Sequence, residues 1–367
     1  MIIGILREIK DHEFRVALTP EGVAELIGHK HVVWIEKDAG RGSGFTDEDY
    51  RHVGGQVTEF KEEVFEKSSL ILKVKEPLLS EVQFFTPQHT LFTFLHLAAS
   101  KELTQALVNS KITAIGYETT EDHAGRLPML LPMSQIAGRM SIQIGAHYLE
   151  RTSGGRGVLL GGVPGVRAAH VVIIGAGGVG AAAAQIAVGM GAGVTVFSVD
   201  VDQLQRLEER FAEGLTTLFP NRVAMEKAIQ EADLLVSAAM IKGAKAPQLV
   251  SRAMVAMMKP GSVIIDVAVD QGGCVETIRP TTHSEPVYEC EGVLHYGVTN
   301  IPGIVPVTAT HALTNATLPF IVRLADLGIE QALCADSWLA KGVNVKQGNV
   351  TYQAVAEAHG FPYVPLA

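Results

Sequence analysis

Four polar side chains stand where apolar, β-type runs of the chain end. Arg15 follows the run Ile2 to Leu6, Lys75 directly ends Leu70 to Val74, His96 directly ends Leu91 to Leu95, and Asp270 follows Val263 to Asp266. Charged or titratable groups at the ends of apolar strands are costly unless paired or used. Open parallel sheets bind ligands beyond the carboxyl ends of their strands, so the four suggest a site. Each also has a purely structural reading: Arg15 as a surface ion-pair partner rather than a carboxylate anchor, Lys75 as the solvated end of an edge strand, His96 as a hydrogen-bonded core histidine, and Asp270 as a turn former ahead of Gln271-Gly272-Gly273.

A second pattern concerns phosphate. Val171-Val172-Ile173-Ile174 leads into Gly175-Ala176-Gly177-Gly178-Val179-Gly180 and then Ala181 to Ile186, which reads as strand, Gly-x-Gly-x-x-Gly turn and helix. Gly175 permits the tight turn, Gly177 removes the side chain that would hold backbone away from a pyrophosphate, and Gly180 lets helix pack closely on strand. The helix start offers N–H groups to phosphate oxygens. The competing reading is a glycine-rich packing turn. Dinucleotide sites usually carry an acidic residue at the end of the second strand, but after Val194 to Phe197 comes Ser198. Asp200 would point the same way if the strand continued, so it is the first substitute, and Asp202 is expected to cap the next helix. No Arg or Lys lies between Ser198 and Gln205 to grip a 2′-phosphate. NAD is therefore the expected cofactor, with weakened discrimination against NADP.

The elements that must position these groups alternate strand and helix almost throughout, which favours mainly parallel sheets covered on both faces. Strands are expected at Ile2 to Leu6, His31 to Glu36, Leu70 to Val74, Leu91 to Leu95 and Ile112 to Tyr117, with helices beginning near Pro20, Asp47 and Lys101. Leu127-Pro128 and Leu131-Pro132 interrupt the pattern, and Ser134 opens a long helix to about Tyr148. Later strands are expected at Val194 to Phe197, Leu234 to Ser237, Val263 to Asp266 and Leu294 to Val298, with Pro319 to Ala340 helical. At 367 residues the chain exceeds the roughly 250–300 at which single cores stop growing. The expected fold is α/β, with two Rossmann-like doubly wound parallel-sheet domains and an interdomain cleft. The substrate domain would comprise 1–128 plus 305–367, and the NAD-binding domain 129–304.

Composition narrows the classes. Hydrophobic residues make up 47% and charged residues 19%, as in soluble enzymes, and the net charge of -9 would repel phosphate backbones and anionic lipid. Neither nucleic acid nor membrane is an expected partner. Val171 to Phe197 carries no charge and could span a bilayer, but its β-branched ends and central glycines read as strand, helix, strand. Met1 to Leu6 is too short for a signal-peptide core, so a cytoplasmic location is expected. The three cysteines, Cys274, Cys290 and Cys334, form no close pair and read as buried small hydrophobes.

Taken together, Arg15-Val16-Ala17-Leu18-Thr19-Pro20, Lys73-Val74-Lys75-Glu76-Pro77, Leu95-His96-Leu97-Ala98, the glycine turn, Lys242-Gly243-Ala244-Lys245-Ala246-Pro247, Asp270-Gln271-Gly272-Gly273 and Ala312-Leu313-Thr314-Asn315-Ala316-Thr317 resemble alanine dehydrogenase in order along nearly the whole chain. Several strings are shared loosely with the nucleotide-binding part of proton-translocating transhydrogenase, but the settings of Lys75, His96 and Asp270 are much closer to alanine dehydrogenase. The resemblance implies reversible, NAD-dependent deamination of L-alanine to pyruvate and ammonia by a homohexamer.

On the same basis Arg15 would bind the substrate carboxylate, Lys75 would hold it and polarise the carbonyl, and His96 would be the general acid and base. Asp270 would lie beside nicotinamide and substrate, supporting charge on the iminium and carbinolamine. The family also implies cofactor contacts from Ser134, Ala239-Met240, the stretch Val267 to Asp270, and Val298, Asn300 and Ile301. The chain departs from the family pattern at Ser198 and at Val307, where a basic residue is usual. Arg323 and Leu327 are poor ligands at a position where some relatives hold a divalent ion, so no metal is expected. The alternatives are a transhydrogenase-like module without its own chemistry and a dehydrogenase of another small or larger amino acid.

Overall fold

A computed structural model describes residues 1–239 and 246–366. Met240 and the Lys242 to Lys245 part of the motif above lie outside the described residues. The chain divides into two compact units, Met1–Met133 with Gly303–Ala367, and Ser134–Pro302.

In the first unit the apolar runs form β1 (Ile2–Ile5), β2 (Val32–Glu36), β3 (Gln56–Thr58), β4 (Leu70–Leu72), β5 (Thr90–Thr93) and β6 (Thr113–Gly116). The second unit carries β7 (His170–Ile174), β8 (Gly193–Phe197), β9 (Thr216–Leu218), β10 (Leu234–Ser237), β11 (Val263–Asp266), β12 (Val287–Cys290) and β13 (Val293–Tyr296). The chain then returns to the first unit with β14 (Val343–Lys346) and β15 (Asn349–Val350).

The first sheet runs β15, β14, β6, β5, β4, β1, β2, β3, parallel from β6 to β3 and antiparallel at the β14 and β15 edge. Because β1, β4, β5 and β6 are consecutive neighbours, the loops leaving their carboxyl ends lie side by side. Those loops hold Arg15, Lys75, His96 and Glu118. The β4 and β5 strands are buried throughout, as expected where helices cover both faces.

The second sheet runs β12, β13, β11, β10, β7, β8, β9, with only the β12 edge antiparallel. Its order reverses at β7, which has β8 on one side and β10 on the other. The glycine turn leaves β7 at the point where such sheets open a crevice. The uncharged run from Val171 to Phe197 is strand, helix Gly178–Gly189 and strand, and no helix among the described residues is long and apolar enough to cross a membrane.

Several expectations need correction. Both site-bearing strands end sooner than their apolar runs, β4 at Leu72 and β5 at Thr93, so Lys75 and His96 sit on short irregular exits. The long helix starts at Leu131 rather than Ser134, because Leu131 N–H already bonds to the Leu127 carbonyl. The helix expected from Pro319 starts at Pro306 and contains Pro319; left-handed Gly328 and the capping Asp336 then divide the next stretch into Ile329–Ala335 and Ser337–Lys341. Only Cys274 is buried; Cys334, on a helix face turned to solvent, is exposed.

Candidate active site

In the first unit His96 adopts a left-handed backbone, φ 47° and ψ 33°, which a non-glycine residue holds only when its surroundings fix it. Glu118 supplies the restraint. Its Oε1 accepts from the His96 N–H at 2.6 Å, and both oxygens accept from the Leu95 N–H at 3.0 and 3.1 Å. The imidazole stacks on Phe94, with centroids 5.9 Å apart, and its Nδ1 lies 3.2 Å from Glu76 Oε2. The other Glu76 oxygen receives the Lys10 ammonium. Burial alone would raise the Glu76 carboxyl, but the His96 hydrogen bond and charge, with Lys75 and Lys10, hold it well below the usual range.

Lys75 is aimed from a backbone that Glu8 grips. Glu8 Oε1 accepts from the Val74 N–H at 2.6 Å and the Lys75 N–H at 3.3 Å, while the Thr93 hydroxyl donates to the Lys75 carbonyl at 3.0 Å. Beneath it Lys73, only 1% exposed, bridges Glu8 Oε2 at 3.3 Å and Glu81 Oε1 at 3.0 Å. Arg15 is buried and clamped by Glu13 along its Nε and Nη2 edge, at 2.7 and 2.5 Å, with Nη1 3.2 Å from the Met133 sulfur. Arg15 and Lys10 line a cavity of about 600 Å³ with Arg7, His12 and Arg41.

The first unit thus brings Lys75 and His96 together through Glu76, with Arg15 on a loop from a neighbouring strand. Glu8, Glu13, Glu76 and Glu118 are not among the residues singled out from sequence. The one readable signal is at Glu76, directly after Lys75 and before a proline.

In the second unit Asp266, buried at the end of β11, organises the loop that carries Val267 and Asp270. Its Oδ1 accepts from Ala268 N–H at 2.9 Å, and Oδ2 from Cys274 and Val275 N–H at 2.7 and 3.1 Å. Burial pushes the Asp266 carboxyl up despite these bonds. Asp270 lies exposed in the single turn Val269–Gln271, closed by left-handed Gly272. Val298 and Ile301 are buried, and the Asn300 carbonyl lies 2.8 Å from His283 Nε2.

The glycine turn fits a dinucleotide. Gly175 has φ +103°, and a Cβ there would stand 2.9 Å from the Ala238 carbonyl and 3.0 Å from Ala239 N. A Cβ on Gly180 would fall 1.8 Å from the Gly175 oxygen, whereas one on Gly177 would meet nothing within 4 Å. Close packing therefore explains Gly175 and Gly180, and the space over Gly177 is open for phosphate against a helix start that no side chain caps. Helix Leu131–Tyr148 presses on the same turn: a Cβ on Gly138 would lie 2.1 Å from the Val179 oxygen. Ser134, one turn earlier, lies on the same face of that helix.

At the adenosine end one expectation fails. Asp200, not Asp202, caps helix Val201–Phe211: it has extended backbone and its Oδ1 accepts from Gln203 N–H at 3.1 Å, while Asp202 is already inside the first turn. Ser198 is buried, with its Oγ accepting from Asp200 N–H at 3.1 Å.

Two family models cover the chain: the N-terminal domain of alanine dehydrogenase/PNT over residues 4–137 and the C-terminal domain over 141–353. The chain belongs to the alanine dehydrogenase/PNT family. An alanine dehydrogenase of Methanococcus maripaludis is 54% identical over all of this chain and 98% of its own length, and one of Bacillus subtilis is 51% identical over all of this chain and 96% of its own. A solved L-alanine dehydrogenase superposes with TM-score 0.94 at 50% identity, covering 98% of this chain and 99% of its own. A transhydrogenase of Sinorhizobium meliloti shares the fold, with TM-score 0.80 at 24% identity over 96% of this chain and all of its own. The alanine dehydrogenase/PNT N-terminal match contains Arg15, Lys75 and His96; the C-terminal match contains the glycine turn and Asp270.

Proposed function

We propose that the protein is an NAD-dependent L-alanine dehydrogenase, interconverting L-alanine with pyruvate and ammonia. Full-length identity near one half to proteins named for that activity supports it. The observation that carries it is the Lys75, Glu76 and His96 cluster, which gives this chain proton-handling groups of its own.

In this reading the first unit holds the substrate and the second the cofactor. Arg15 takes the carboxylate and Lys75 polarises the carbonyl oxygen while ammonia attacks. His96 gives the proton with which water leaves, and Asp270 supports the positive charge of the iminium so formed. Ser134, Gly175, Gly177, Gly178, Val179, Gly180, Ser198, Asp200, Ala239, Val267, Val298, Asn300 and Ile301 are the proposed cofactor contacts within the described residues, and Met240 is proposed with them. NADH, when bound, supplies the hydride that reduces the iminium carbon to give the amine. A cytoplasmic homohexamer completes the proposal.

Following NADH absorbance with pyruvate alone and then with ammonium tests the assignment. Oxidation that starts on addition of ammonium is expected; cofactor binding without it would favour the transhydrogenase-like alternative. A panel of 2-oxo acids should place pyruvate first, and a larger acid preferred over it would move the assignment to another amino acid.

A further inference from the structure

We propose that Glu76 is a positioning residue that sets the tautomer of His96, holding a proton on Nδ1 and leaving Nε2 as the atom that exchanges protons. The inference rests on the reading of His96 as acid and base, and it concerns how that role is built.

The imidazole is held from three directions. Glu118 fixes its backbone, Phe94 lies against its face, and Glu76 Oε2 meets its Nδ1 edge at 3.2 Å. An ionised carboxylate can only accept, so the Nδ1 that faces it must carry hydrogen, and in the neutral ring Nε2 is then the bare base. The Glu76 carboxylate is itself locked, because Lys10 takes its other oxygen. An ammonium has donors and no acceptor, so whatever replaces Glu76 must present an oxygen to Lys10.

That asymmetry makes the consequence specific. In Glu76→Gln the amide keeps the shape of the carboxylate but has one oxygen. Lys10 claims it, which turns the NH2 toward His96 Nδ1. A ring facing a donor must put its own proton on Nε2, so the base is moved to the wrong atom. Adding Lys10→Met removes the competitor and lets the amide turn its oxygen back to Nδ1.

The test pairs kinetics with neutron crystallography of deuterated crystals at alkaline pH. The expected results are a deuteron on Nδ1 in the unmodified protein and on Nε2 in Glu76→Gln. Turnover in Glu76→Gln should fall about a hundredfold or more, with KM for pyruvate little changed. In Lys10→Met/Glu76→Gln the deuteron should return to Nδ1 and most of the lost turnover with it. A deuteron that stays on Nδ1 in Glu76→Gln, or a double variant no faster than the single one, would overturn the assignment. The deuteron positions are read without turnover, so they test Glu76 even if ammonium-dependent oxidation is absent and the wider functional reading fails.

Discussion

His96→Asn should lower the rate of ammonium-dependent NADH oxidation by about 10²–10⁴-fold, the range that a positioned general acid or base contributes, while NADH still binds. Asparagine is the informative replacement. Position 96 sits at φ 47°, a conformation that asparagine tolerates far better than alanine does. His96→Ala should lose as much turnover, but it adds backbone strain that could loosen the Glu118 clamp. Agreement between the two variants would place the loss in the imidazole itself. NADH binding should survive because the glycine turn is built wholly within the second unit, where Gly175, Gly180 and Gly138 owe their identity to local close approaches. Turnover unchanged in His96→Asn, measured with saturating pyruvate and ammonium, would remove His96 from the mechanism.

The second large effect concerns stability. Lys73→Met should destabilise the protein by about 3–5 kcal/mol, because removing one partner of a buried ion cluster leaves the others uncompensated. Lys73 is 1% exposed and lies against two carboxylates, Glu8 and Glu81, that are almost as buried. Methionine can fill the volume but cannot offset either charge. Burial already pushes the Glu8 carboxyl up even with Lys73 beside it, so without the lysine Glu8 should take up a proton and limit the loss. A carboxyl whose folded pKa is raised contributes most stability below its unfolded pKa and loses it as pH rises through the folded value. The deficit of Lys73→Met should therefore shrink on acidification. Urea unfolding of both proteins across the acidic range checks this, and equal midpoints at neutral pH would contradict it. Activity should fall too, because Glu8 also holds the Val74 and Lys75 backbone.

The residues that place Lys75 and His96 explain what could be read in advance and what could not. Uninterrupted apolar runs such as Leu70 to Val74 and Leu91 to Leu95 mark central parallel strands, so polar residues at their ends were visible as candidates. Both units also have the parallel, helix-covered sheets that the strand and helix alternation implied. Glu8, Glu118 and Glu13 gave no such signal. Glu8 reaches Lys75 because β1 and β4 pair, and Glu118 reaches His96 because β5 and β6 pair. No local pattern encodes that adjacency. The short strands β3 and β9 were missed for another reason: Gln-Val-Thr and Thr-Thr-Leu offer three residues each and no apolar alternation. At Asp200 and Asp202 the helix began two residues earlier than expected, which made Asp200 the cap and left Asp202 in the first turn.

In the proposed reaction the polar cluster of one unit and the nucleotide turn of the other serve a single transfer to carbon. Reductive amination with NADH deuterated at the transferable position of the nicotinamide measures this directly. The expected product is alanine with one deuterium at C2 for each NADH consumed. NADH oxidised without deuterium appearing in alanine, or oxidised equally well when ammonium is withheld, would contradict it.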